Sequence, residues 1–310
     1  MMESAPFHVS SGDVLADRRL AYARDLRDRG DLAGAADLLQ QAADIVPGFA
    51  AVWFTLGEVR QQLGDSEGAV AAFRAAIAAD PSDCHGASLQ LMRLGREPVG
   101  RMPEAYVRAV FDQYAANFDA ALVERLAYRG PQLLHDAVLR GCAATGRAPH
   151  FARALDLGCG TGLAGEAFAD IAGELTGVDL SAQMVARAER RGCYHRVHAG
   201  DMTDFLRTEK AASADLVLAA DAFVYLPVLT PVCHESARVL GPSGLLAFSV
   251  ETHDGAGVTL GPSLRYACDV ATVREALAAA GLQALSIDPA TTRMEAGAPV
   301  PGLIAVAVKP

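Results

Sequence analysis

Between Phe151 and Leu180 the chain reads FARALDLGCGTGLAGEAFADIAGELTGVDL, and its acids and glycines are spaced for chemistry. Asp156 ends one apolar run. Gly158, Gly160 and Gly162 follow at alternate positions, and Asp179 closes the next apolar run. Glycine admits positive φ and lets a ligand approach the backbone without meeting a Cβ. An acid ending the second strand of such a unit can accept hydrogen bonds from both hydroxyls of a ribose. The stretch is therefore a candidate site for an adenosine-bearing ligand. Asp221, Tyr225, Glu251 and His253 fall where later strands should end, within reach of a reacting group. Tyr106, Tyr114 and Phe118 could each set a ring against a cation, a contact worth about 0.5–2 kcal/mol. Each has a plainer alternative: a helix cap for Asp221, packing for the aromatic rings, a solvated loop for Glu251 and His253.

Two ligand chemistries compete at the glycine turn. Gly160-x-Gly162-x-x-Gly165 satisfies the dinucleotide pattern, and Asp179 fits its ribose acid, so an NAD-dependent oxidoreductase is one reading. Asp156 argues against it. Its carboxylate would face the pyrophosphate, and two like charges about 4 Å apart at an effective dielectric near 20 repel by roughly 4 kcal/mol. S-adenosylmethionine brings an ammonium and a sulfonium instead, and the same carboxylate then helps.

The elements that must position these residues alternate. Ser181 is the expected N-cap of a helix Ala182–Arg191 that stops at Gly192. Strands are expected at Tyr194–Ala199, Asp215–Ala220 and Leu245–Val250, with Thr230 capping a helix that has Pro231 in its first turn. A polar loop is expected over Glu251–Gly261 and a helix from about Asp269 to Ala280. Strands Leu282–Ile287 and Leu303–Val308 follow with no helix between them. Seven strands result. Crossover helices make the first six parallel, and the missing crossover makes the last antiparallel. Leu303–Val308 is apolar on both faces and belongs inside the sheet.

The first third of the chain has a different period. Gly30, Asp31, Ala35, Ala42 and Pro47 recur 34 residues later as Gly64, Asp65, Ala69, Ala76 and Pro81. The second copy adds Trp53-x-x-Leu56-Gly57 and Ala69-x-x-x-Phe73. This resembles the tetratricopeptide repeat, a helix–turn–helix unit. Gly86–Leu94 reads as one further capping helix. The expected organisation is a disordered start over residues 1–14, repeats over 15–95, a Pro/Gly linker over 96–103 and a second domain over 104–310. The second domain divides into a helical lid, 104–150, and an α/β core, 151–310.

Composition narrows the partners. A net charge of −10 disfavours a phosphate backbone as ligand. The six cysteines are scattered without a C-x-x-C pair, which implies free thiols in a reducing compartment and no zinc site. No leader pattern or spanning run is visible, so a cytoplasmic chain without membrane partners is expected.

Residues 104–310 resemble the class I S-adenosylmethionine-dependent methyltransferases. DLGCGTG (Asp156–Gly162), TGVDLSAQMVARA (Thr176–Ala188), AGDMTDF (Ala199–Phe205) and ADLVLAADAFVYL (Ala214–Leu226) stand as that family's successive motifs. With the repeats in front, the chain resembles the bacterial tetratricopeptide-repeat methyltransferases. The resemblance implies a Rossmann-like seven-stranded α/β sheet with an antiparallel last strand, behind a small all-α repeat domain. It also implies S-adenosyl-L-methionine as cofactor. Gly158 and Gly160 would pass close to the methionine portion, with Asp156 and Gly162 also expected among the cofactor-binding residues. Asp179 would hold the ribose, Asp201 with the Met202 backbone would sit at the adenine edge, Asp221 to Tyr225 would face the methyl group and the acceptor, and Leu180 and Met184 are further expected cofactor-binding residues. Tyr106 and Tyr114 are expected to contact the cofactor, and Tyr114 with Phe118, one helical turn apart, could form a lid over it. The expected acceptor is a small molecule. A protein acceptor docked by the repeats is the runner-up, and homodimerisation through the repeats or a non-catalytic docking role are further alternatives.

Overall fold

The computed structural model describes residues 10–115, 119 and 126–310. Contacts divide the chain between Ala109 and Val110 into two units. The division falls inside a helix, α6 (Glu104–Tyr114).

The first unit is built from α1 (Val14–Asp28), α2 (Leu32–Ile45), α3 (Ala50–Gln62), α4 (Ser66–Ala79) and α5 (Ala87–Arg93). The 34-residue period is visible as geometry. Gly30 and Gly64 take φ of +85° and +80°, and the next residues, Asp31 and Asp65, cap α2 and α4. Each capping carboxylate accepts from the backbone N–H three residues on, at 2.9 Å from Gly34 and 2.9 Å from Gly68. Gly57 is required by its neighbour: a Cβ there would stand 2.5 Å from the Phe73 ring. The small residues Ala16, Ala23, Ala35, Ala42 and Ala69 are fully buried, which is how the paired helices approach.

The second unit opens with α7 (Gly130–Thr145) and then alternates: β1 (Phe151–Leu157), α8 (Leu163–Ala167), β2 (Ala172–Asp179), α9 (Ala182–Arg191), β3 (Arg196–Ala199), α10 (Met202–Thr208), β4 (Ala214–Ala219), α11 (Thr230–Val239), β5 (Leu240–Glu251). After these come β6 (Val258–Leu260), β7 (Tyr266–Cys268), α12 (Val270–Ala279), β8 (Gln283–Ala290), β9 (Met294–Glu295), β10 (Ala298–Pro299) and β11 (Gly302–Val308). The sheet order is β3-β2-β1-β4-β5-β11-β8. The strands from β3 to β5 are parallel, and β11 runs antiparallel between β5 and β8, from Gly302 opposite Glu251 to Val308 opposite Leu245. The apolar final strand is thus interior, as its composition requires.

Side-chain alternation builds the two faces. Val217, Leu246, Phe248 and Ala305 pack with α11 and α12 residues Val232, Cys233, Val273 and Leu277. Leu216, Leu218, Leu245, Ile304 and Val306 pack on the other face with Leu134, Val138 and Phe168. Both faces are covered, so the carboxyl ends of the strands are where a ligand must enter.

Four local expectations change. Thr230 begins α11 rather than capping it: the residue before the helix is Leu229, without a side-chain cap bond, and Pro231 lies in the first turn. Tyr194 precedes β3 instead of opening it. The stretch after Glu251 is not all loop, because β6 and β7 form a hairpin whose second strand lies beside the end of β5. Between β8 and β11, β9 and β10 form a small hairpin around Ala296 and Gly297, both at positive φ (50° and 79°), the backbone of a tight two-residue turn. No described helix is long and apolar enough to cross a membrane.

Candidate cofactor and acceptor site

The glycine turn after β1 is a run of left-handed backbone. Gly158, Gly160 and Gly162 have φ of 71°, 53° and 95°. A Cβ on Gly158 would stand 2.4 Å from the Cβ of Ala222, so the glycine lets the turn close on the segment after β4. Two buried acids flank the turn. Asp179, at the end of β2, accepts from the Gly160 N–H on Oδ2 (2.9 Å) and from the Ser181 N–H on Oδ1 (2.8 Å). A carboxylate has about four lone-pair positions. One on each oxygen is used, and two are left for a pair of hydroxyls. Burial pushes the Asp179 carboxyl up to about 6, against the pull of its two backbone donors.

Asp156 is fully buried. Its Oδ2 accepts a 2.6 Å hydrogen bond from the Tyr194 hydroxyl, while Oδ1 has no partner among the described residues. Burial, first, raises this carboxyl to about 7; the Tyr194 bond opposes the rise and the charge of Asp179 adds to it. A buried carboxylate with an orphan oxygen suits a cationic ligand and opposes a pyrophosphate. The glycines of the dinucleotide pattern also have roles within the fold. A Cβ on Gly162 would stand 3.0 Å from the Tyr194 ring, and on Gly165 only 2.3 Å. Gly165 thus makes room for the Tyr194 phenol, and Gly162 is required by its φ of 95°.

The remaining residues named from the sequence are distributed unevenly. Leu180 is half-buried beside Asp179. Met184 is fully buried, and its N–H is taken by Ser181 Oγ (3.1 Å), the cap expected for α9. Asp201 caps α10, accepting on Oδ1 from Thr203 (2.8 Å) and Asp204 (3.0 Å). Met202 reaches toward Gly158: its Cε would be 3.8 Å from a Cβ there. Tyr114 ends α6 and is half-buried. From the same helix, Asp112 accepts a hydrogen bond from Ser181 Oγ, next to Asp179. Tyr106 falls in the repeat unit, its ring against Gly86. Phe118 lies outside the described residues.

After β4 the chain turns sharply at Asp221, which holds a positive φ of 53°. The strain is matched by a dense set of bonds. The Asp221 N–H donates to Ser249 Oγ (2.7 Å), whose hydroxyl donates to Asp221 Oδ1 (2.6 Å). Thr292 Oγ1 (3.0 Å) and Arg293 Nη1 (3.4 Å) donate to Oδ2. Arg293, 3% exposed, also pairs with Glu251 at the end of β5. Arg265 Nη1 stands 3.7 Å from Glu251 and 3.6 Å from Glu295, and its Nε donates to the Tyr225 hydroxyl (3.2 Å). Tyr225 packs edge-on against Phe111, ring centroids 5.4 Å apart. Asp221 and Tyr225 are therefore the two ends of one chain of polar groups running through Arg293, Glu251 and Arg265. His253 lies in its own loop, accepting from Gly255 N–H (3.0 Å) with Nε2 3.1 Å from the Gly257 carbonyl.

Reading the sequence missed Tyr194, Ser249, Arg265, Thr292 and Arg293. Only Ser249 carried a signal, as a polar residue inside an apolar strand.

Residues 155–248 match the methyltransferase domain family, and residues 26–91 match the tetratricopeptide repeat family. A ubiquinone biosynthesis O-methyltransferase of Xanthomonas axonopodis pv. citri is 32% identical over 108 residues, 33% of this chain and 44% of the relative. A malonyl-[acyl-carrier protein] O-methyltransferase of Enterobacter lignolyticus is 36% identical over 107 residues, 34% of this chain and 42% of the relative. The chain thus spans less than half the length of these curated relatives. Among solved structures, the Burkholderia thailandensis 1,6-didemethyltoxoflavin-N1-methyltransferase, with 1,6-didemethyltoxoflavin and S-adenosylhomocysteine bound, superposes with a TM-score of 0.50 at 19% identity. That match covers 69% of this chain and 92% of the other, and it is a likeness of fold.

Proposed function

We propose that this chain, which belongs to the S-adenosylmethionine-dependent methyltransferases and carries tetratricopeptide repeats ahead of the methyltransferase domain, transfers a methyl group to an oxygen of a small-molecule acceptor. The observation that carries the reading is the pair of buried carboxylates at the glycine turn, Asp156 with an orphan oxygen and Asp179 with two lone-pair positions open. When bound, the cofactor supplies an activated methyl on a sulfonium leaving group, so the protein's work is mainly positioning and exclusion of water. Asp156 Oδ1 takes the cofactor's amino group and Asp179 takes the ribose hydroxyls. Asp201 and Met202 line the adenine edge, Leu180 and Met184 form the floor, and Gly158, Gly160 and Gly162 bring the backbone close. Tyr114 closes the open side.

Tyr225 and Asp221 face the acceptor in this reading. Tyr225 already accepts from Arg265, so its own proton is directed elsewhere and can hold an acceptor oxygen. Among the described residues each nearby carboxylate is paired: Asp221 and Glu251 with Arg293, Glu295 with Arg265. Such a site holds shape rather than removing a proton from an alcohol. It suits an acceptor oxygen that is ionised or readily ionised, an acidic phenol or a carboxylate, and both curated relatives are named as O-methyltransferases.

The test is a labelled methyl-donor assay on the full chain with a catechol, a carboxylic acid and an aliphatic alcohol offered separately. Transfer to the first or second supports the reading, and transfer to the alcohol alone refutes the ionised-acceptor argument. A protein acceptor docked by the repeats is the second reading. Label recovered only in the protein fraction of an extract would favour it.

A further inference from the structure

We propose that Tyr194 is the positioning residue of the cofactor site: its ring is the template on which the glycine turn is laid, and its hydroxyl holds Asp156 so that one carboxylate oxygen is kept for the cofactor's amino group. Three glycines from three elements surround this one ring. A Cβ on Gly162 would stand 3.0 Å from it, on Gly165 2.3 Å and on Gly177, in β2, 3.0 Å. A real Cβ does not come within 3.0 Å of such a ring, so Gly165 must be glycine beside it; at 3.0 Å a Cβ on Gly162 or Gly177 would already press on the ring, and at Gly177 it would also stand 2.9 Å from Cys159 Sγ. Gly165 of the apparent nucleotide pattern thereby has a packing reason to be glycine, and Gly162 has one in its φ of 95°.

The hydroxyl is bonded on both sides. It accepts from the Gly165 N–H (3.1 Å), the start of α8, and donates to Asp156 Oδ2 (2.6 Å). One group therefore ties the helix after the turn to the acid before it. The segment carrying the ring is itself anchored, since the next residue, His195, donates its N–H to the Leu175 carbonyl (2.8 Å). With Oδ2 already bonded to Tyr194, Oδ1 is the oxygen of Asp156 left with both lone pairs open and, among the described residues, without a partner, so it is the atom turned to an entering ammonium.

The arrangement also couples cofactor binding to a proton. Among the described residues, Tyr194 from the segment before β3 and Asp179 from β2 act on Asp156, and its charge acts in turn on Cys159 in the turn, Cys193 beside Tyr194 and Tyr128 before α7. No cationic side chain is among them. An entering ammonium must find a carboxylate there, so any proton on Asp156 is released when it binds.

The inference rests on the cofactor assignment, and S-adenosylhomocysteine is the probe, since it keeps the amino group and lacks the sulfonium. Calorimetric titration near neutral pH in two buffers of different ionisation enthalpy gives both affinity and protons released. Tyr194→Phe removes the hydroxyl and keeps the ring. It should weaken binding about tenfold or more, the loss of a hydrogen bond to a charged group, and move proton release toward about one per ligand. Asp156→Asn should abolish most of the release. In that background Tyr194→Phe should cost less than about threefold more, because the two residues act as a unit. If the full cost of Tyr194→Phe persists beside Asp156→Asn, the tyrosine acts through the fold and the proposal is wrong. If Tyr194→Phe does not fold, Asp156→Asn still bears on the proposal: proton release near pH 7 that survives it undiminished, beyond what Asp179 with its carboxyl at about 6 can supply, overturns it. An unaltered chain that binds no S-adenosylhomocysteine overturns the cofactor assignment as well.

Discussion

Asp156 should cost the ligand-free protein stability, and replacing it should show how much. Its carboxyl ordinarily titrates at 3.8 and is raised to about 7 in the folded chain. Between these values the folded state holds a proton that the unfolded state has lost. Stability therefore falls as pH rises through that window. With about 1.4 kcal/mol for each unit, the loss between about pH 5 and about pH 8 is on the order of 3 kcal/mol from this residue alone. Asp156→Asn removes the titration but places an amide where Oδ1 has no partner, a penalty of about 1–3 kcal/mol at any pH. The substitution should be neutral or destabilising near pH 5 and stabilising near pH 8, while cofactor affinity falls. Urea melts of the ligand-free protein at both pH values, read by circular dichroism, check this. Equal effects at the two pH values would refute the reasoning, since they would mean that the carboxyl is not held against its charge. A site that is less stable for being functional is the expected trade-off.

Asp179→Ala should lower S-adenosylhomocysteine affinity on the order of 100-fold by removing up to two charge-assisted bonds to the ribose, and calorimetry that finds a change under about threefold would contradict that role. Arg293→Met should destabilise the second unit by about 3–5 kcal/mol, because Asp221 would lose its cation and Glu251 would keep only Arg265, 3.7 Å away; a denaturant midpoint unchanged from the parent would show that the polar chain is not structural. Gly57→Val, which drives a side chain into Phe73, should lower one of two calorimetric transitions and spare the other if the repeat unit melts separately. A single transition shifted as a whole would show that the two units unfold together.

The fold was legible where period and punctuation agree. Gly30–Asp31 and Gly64–Asp65 are a helix stop followed by a helix start, so the repeat could be read directly from spacing. Ser181 and Gly192 bound α9 at the residues expected. The interior antiparallel strand followed from an apolar run with no crossover helix before it. The hairpin of β6 and β7 was hidden because strands of three residues carry no period. At the site, the residues that approach the turn by chain order, Asp156 and Asp179, could be named. Those that arrive from distant sequence could not. Arg265 reaches Tyr225 from the hairpin that lies beside the end of β5, and Thr292 and Arg293 reach Asp221 from the connection between β8 and β11. Tyr194 was read as the first residue of a strand, and nothing in its neighbours indicates that its ring fills the space left by three glycines.

Paired titration of the full chain with S-adenosylhomocysteine and with NADH puts the charge argument at the glycine turn to its most direct test. Saturable binding of S-adenosylhomocysteine, with no heat from NADH at the same concentrations, is the predicted result. Tight binding of NADH with none of S-adenosylhomocysteine would contradict it.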